Sequence, residues 1–166
     1  MPDVDAVLAG RWKHMFASPD LVRQAANDFG YHVSAYTADG SGNSRYQMAG
    51  VQQVLPDAAL PTHVTTDFAA GGHDKGRVDC IEFSFSVVRG ESKPRTKKER
   101  AALQIPRRAV QGFLARFELG PSDIIKRALQ DFTSATDRST GGSIVIRSDN
   151  PGSTRKNLHV LIEPSP

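Results

Sequence analysis

The strongest constraint on this chain is the alternation in residues 78–88, where Ile81, Phe83, Phe85 and Val87 fall on one side and Cys80, Glu82, Ser84 and Ser86 on the other. A period of two over that length specifies a strand with one face against a core and the other facing water or a partner. One such strand cannot bury its apolar face alone. The question for the remaining residues is what covers it.

Helical signals lie on both sides of this strand. Val4, Val7, Leu8, Trp12, Met15 and Phe16 recur at helical spacing behind a capping Asp3. Ser18 and Pro19 then start a second helix with Val22, Ala25, Ala26 and Phe29 on its apolar face, and Gly30 stops it. Downstream, Thr96 followed by Glu99 is a capping box that predicts a helix over 97–104. Pro106 opens another helix, with Val110, Phe113, Leu114 and Phe117 as its stripe. After Gly120 and Pro121, Ser122 caps a last helix carrying Ile125, Ala128, Leu129 and Phe132. The pair around Gly120 faintly resembles a helix-turn-helix, but Pro121 follows the glycine and Lys126 stands where a buried aliphatic belongs.

The other segments read as strands. Tyr31, Val33, Ala35 and Thr37 alternate with polar neighbours and pair with 45–51 across a turn-rich loop. Pro56 and Pro61 bracket a connection to 62–68, which forms a hairpin with 78–88 around Gly71, Gly72 and Gly76. Residues 133–142 read as a polar loop. Ile144 and Ile146, a turn at Asn150, Pro151 and Gly152, and Leu158, Val160 and Ile162 make a closing hairpin. The expected fold class is therefore α+β: a mostly antiparallel sheet of about six strands built from hairpins, with an N-terminal helical pair and a central helical segment packed on one face. At 166 residues one domain spanning 1–166 is expected.

Composition narrows function mainly by exclusion. Charged side chains interrupt the apolar residues of 1–16, which argues against a signal peptide and against a membrane span. A single cysteine, Cys80, cannot form a disulfide framework or a four-cysteine zinc site, and points to a cytoplasmic setting or an assembled particle. The formal charge is +3, yet between residues 93 and 108 seven basic side chains face one acid, Glu99, a net of +6. Lys93, Arg95, Lys97, Lys98, Arg100, Arg107 and Arg108 are thus the candidate nucleic-acid-binding residues, for DNA or RNA.

No catalytic signature is complete. Residues 71–77 have two glycines at the spacing of a phosphate loop, but Arg77 and Val78 replace the required Lys and Ser or Thr, and a strand follows in place of a helix. His63, Asp67, His73, Asp74 and Asp79 gather in the 62–78 hairpin, where a hydrolase or metal-dependent enzyme would place its site. The same residue types also serve turns. His159 reads as an exposed strand residue beside Leu158 and Val160. With no cofactor motif, the expected function is a non-enzymatic structural subunit that self-assembles, of the phage or virus particle type. A homo-oligomer follows, with no membrane partner. The alternative class is a small intracellular DNA- or RNA-binding regulator.

Overall fold

The computed structural model describes residues 3–42, 45–54, 63–88, 97–149 and 155–165. Helices α1 (Val4–Phe16) and α2 (Pro19–Asp28) come first, followed by strands β1 (Thr37–Ala38), β2 (Tyr46–Val54), β3 (His63–Gly72) and β4 (Cys80–Val88). Three helices, α3 (Lys97–Leu103), α4 (Ile105–Ala115) and α5 (Asp123–Asp131), lead to β5 (Ala135–Arg138), β6 (Gly142–Asp149) and β7 (Arg155–Pro164). Among the described residues the strands form one sheet in the order β1-β2-β3-β4-β7-β6-β5, with every ladder antiparallel. The expected α+β class with an antiparallel sheet and helices is what forms. Among the described residues there are seven strands, because residues 135–138, read as loop, add an edge strand.

The local signals act largely as the residue chemistry dictates. The Asp3 carboxylate accepts from the Asp5 N–H, and the Ser122 hydroxyl accepts from the Ile125 N–H to cap α5. Ser18 behaves differently: its hydroxyl donates to the His14 carbonyl at 2.7 Å and so closes α1, leaving Pro19 to start α2. The Thr96 half of the capping box, the linking prolines Pro56 and Pro61, and the turn at Asn150 to Gly152 lie outside the described residues.

Residues 31–36 are the main departure from the sequence reading. Tyr31 and Val33 are buried with exposed neighbours, so the alternation is real, but no ladder forms before Thr37. His32 has φ 50°, which turns the chain out of the extended region. The segment instead lies across β2, tied by Ser34 N–H to the Ala49 carbonyl at 2.9 Å and by Ala49 N–H to the Ser34 hydroxyl at 3.1 Å.

One continuous core lies between the sheet and the helices. Its sheet side is supplied by alternate residues such as Phe68, Ile81, Phe83, Phe85, Ile146 and Val160, and its helical side by Met15, Phe16, Val110, Phe113 and Leu129. Helix α1 sits on the start of β6, where a methyl group added at Gly142 would overlap the Trp12 ring. Phe83 is the centre of an aromatic cluster, with its ring 5.2 Å from Phe68, 5.3 Å from Phe113 and 5.8 Å from Tyr31.

Tyr31 brings the cluster its one polar handle, a hydroxyl 2.6 Å from Thr66 Oγ1. Among the described residues Thr66 is the one buried polar side chain, so the two hydroxyls satisfy each other. Burial pushes the Tyr31 pKa from its ordinary 10.0 up to about 12. Above pH 10 the unfolded chain gives up this proton while the folded chain keeps it. The stabilisation is complete below about pH 10 and is lost as pH rises through about 12. Its size is about 3 kcal/mol. Tyr31→Phe is expected to flatten the fall in urea midpoint between pH 10 and 12, and a fall as steep as that of the unsubstituted protein would contradict this assignment.

Candidate functional site

Because side chains alternate, covering one side of the sheet with helices leaves the other side bare among the described residues. Antiparallel register then decides which bare-side residues meet. Val51 on β2 pairs with Asp67 on β3, Asp67 with Ser84 on β4, Ser84 with His159 on β7, and His159 with Arg147 on β6. A second row runs Ala49, Ala69, Glu82, Leu161 and Val145 across the same strands. These residues come from five separate stretches of the chain.

The surface they make mixes apolar residues with charges of both signs in near balance. Counted over the described strands, Asp67, Glu82, Asp149 and Glu163 oppose Arg138, Arg147 and Arg155. Val51 stands 61% exposed at one side of the face. A shallow depression of about 320 Å³ follows the first row, lined by Asp67, Ser84, Ser86, Arg147, Asn157 and His159.

Within this depression Ser84 Oγ lies 3.1 Å from His159 Nδ1, and His159 Nε2 lies 4.0 Å from Glu82 Oε1. Serine, histidine and carboxylate in line are the elements of a nucleophilic triad. An acyl-transfer site also needs N–H donors aimed at the developing oxyanion. Ser84 is mid-strand, with β4 paired to β3 on one side and β7 on the other. The neighbouring N–H groups are therefore engaged in ladders, and no sharp strand-to-helix turn raises the serine. What the three side chains form is a cross-strand polar patch.

The 62–78 hairpin resolves into turn chemistry. Asp74 Oδ1 accepts from the Gly76 N–H at 2.7 Å, Asp79 Oδ2 accepts from the His73 N–H at 3.2 Å, and Asp79 Oδ1 pairs with Arg77 Nε at 3.2 Å. Asp67 lies farther along β3 on the bare face, and the His63 side chain is outside the described residues. Among the described residues no three His, Cys, Asp or Glu side chains are placed to hold a metal.

Beside this turn a depression of about 330 Å³ is bordered by Asp39, Arg45, His73, Asp79, Cys80 and Glu82. The Cys80 thiol donates to Glu82 Oε1 at 3.6 Å. Burial, and next the Glu82 carboxylate, push the thiol pKa from 9.0 up to about 12. It is held as a neutral thiol, the opposite of what a reactive cysteine requires.

Comparison with protein-family models, curated proteins and solved structures finds no match. Function must be argued from the surfaces themselves.

The second of these is basic. Of the candidate nucleic-acid-binding residues, Lys93 and Arg95 lie outside the described residues, and Lys98 falls within α3 with its side chain undescribed. Lys97, Arg100 and Arg108 are exposed, whereas Arg107 is half-buried and its Nη1 donates to Gln130 Oε1 at 3.4 Å. Arg107 and Arg108 border an open cleft of about 750 Å³ with Phe29, Gln104, Gln111 and Gly112. These residues belong to the helical side, so the charge and the bare sheet face are on opposite sides of the core. Among the described helices none is long and apolar enough to cross a membrane.

Of the bare-face residues, Ser84 and Glu82 are visible in the sequence as the polar side of β4. Arg147 is not. Only the register that brings β6 and β7 beside β4 places it in line with Asp67.

Proposed function

We propose that this chain is a non-enzymatic structural subunit that assembles with copies of itself, of the kind that builds phage or virus particles. The observation that carries the reading is the face of the sheet that none of the described helices covers, on which apolar residues such as Ala49, Ala69, Val145 and Leu161 alternate with a few balanced charges. That composition suits contact with another protein surface better than contact with a polyanion. The helical side, with Lys97, Arg100 and Arg108 exposed, is left to face DNA or RNA.

Mass measurement in solution tests the proposal. The expected result is a discrete oligomer with an even number of copies at micromolar concentration. A monomer at all accessible concentrations would overturn it.

The basic side favours a second reading, the intracellular nucleic-acid-binding regulator, if the protein proves monomeric and shifts a duplex probe. With three or four phosphates neutralised by the helical side, log K against log salt should fall with a slope of about −3 to −4. A slope near zero would remove the nucleic-acid component from both readings.

A further inference from the structure

The first cross-strand row of the bare face has an acid on β3 and a base on β6, with Ser84 and His159 between them on β4 and β7. Strands in a sheet are about 4.8 Å apart, so Asp67 and Arg147 lie about 7 Å on either side of the line midway between β4 and β7. A two-fold axis in the plane of contact, parallel to the strands and passing along that line, exchanges β3 with β6 and β4 with β7. The row is charge-complementary to itself under that operation.

We infer that the bare face is an isologous dimer interface, in which Asp67 of each copy meets Arg147 of the other. This rests on the reading of the face as a self-assembly surface, and specifies its symmetry and its charged contacts. The same operation sets Ala69 against Val145 and Glu82 against Leu161 in the next row, and Ser86 against Asn157 and Thr65 against Asp149 in the row on the other side, so in these three rows the one facing pair with both members charged is Asp67 with Arg147, of opposite sign. The two Glu82 carboxylates flank the axis, each 4.0 Å from His159 of its own copy. Each pair occurs twice, as an isologous interface requires.

Two physical checks support the geometry. Aligned sheets pack at about 30° to one another, which corresponds to tilting the axis about 15° from the strands and displaces groups 7 Å from it by about 4 Å, within the reach of an arginine side chain. The four central strands, about 19 Å across and about 30 Å long, offer about 600 Å² per copy, or about 1,200 Å² in all, the lower end of specific interfaces.

Sedimentation velocity on the full chain, with Asp67→Arg, Arg147→Asp and the double variant, tests the inference. Both positions are exposed, and far-UV circular dichroism verifies that each variant is folded. Each single substitution should weaken the dimer at least tenfold by setting like charges face to face. The double variant should recover to within about threefold, and mixing the two single variants should restore dimers, since each then supplies the charge the other lacks. If the unsubstituted protein self-associates but neither single substitution weakens it, this interface is wrong while the self-assembly reading stands. The interface is equally wrong if neither the double variant nor the mixture recovers. A monomeric unsubstituted protein would overturn both.

Discussion

Replacing Phe83 by alanine should destabilise the protein by about 3–5 kcal/mol, the cost of deleting a fully buried aromatic side chain whose site cannot collapse. Phe83 is inaccessible to solvent, and its ring lies against those of Phe68, Phe113 and Tyr31, so three elements would line the cavity. In a chain of this length the midpoint of thermal unfolding should fall by about 10 °C. Phe85→Ala is a useful comparison, because Phe85 is only 2% exposed but stacks only on Phe83 among the described ring pairs. A loss at Phe83 no larger than that at Phe85 would mean that the cluster has no special weight in the core.

Gly50→Ala should also be strongly destabilising, by about 3 kcal/mol or more. In an ordinary strand the same change stabilises, because glycine loses more backbone freedom on folding. The sign differs here because residues 31–36 cross directly over β2. A methyl group at position 50 would overlap the Tyr31 carbonyl oxygen and lie 2.9 Å from the Val33 Cα. Both obstacles are backbone, so the whole crossing segment would have to shift, and Tyr31 would be drawn off Thr66. Gly10→Ala is the control, since nothing lies within 4 Å of a methyl group there and the residue is in the exposed part of α1. A urea midpoint for Gly50→Ala at or above that of the unsubstituted protein would show that the crossing segment is not packed as described.

These two predictions also mark what was legible in the sequence. Phe83 could be placed in the core from period alone, because a strand with one covered face must alternate and β4 does so over nine residues. The caps at Asp3 and Ser122 and the proline starts of α2 and α4 were readable for the same reason: each acts within a turn of its own position. The role of Gly50 was not readable, since it depends on a segment that looks like a strand and is turned aside at His32. Strand β5 has no signature in the sequence, because an edge strand with exposed Thr136 and Arg138 carries no continuous apolar face.

The candidate site divides the same way. The basic stretch was visible as a run of charge, although the chain cannot indicate by composition that α3 and α4 would be on the far side of the core from the bare face. Asp67, Ser84, His159 and Arg147 have no common motif, and their alignment exists only through three registers of the folded sheet. The metal reading of the 62–78 hairpin came from residue types that the turn itself needs, as the Asp74 and Asp79 hydrogen bonds show.

The strand order has a consequence for how the protein is made. The central ladder joins Ile81 on β4 to Ile162 on β7, two residues that are 81 positions apart. A ribosome that has released β4 must still deliver α3, α4, α5, β5 and β6 before β7 is available to pair with it. At a synthesis rate of about 5–20 residues per second, that interval lasts roughly 4–16 seconds. Throughout it, Ile81, Phe83, Phe85 and Val87 belong to an open sheet edge, the kind of nascent surface that chaperones bind and that aggregates when synthesis outruns them.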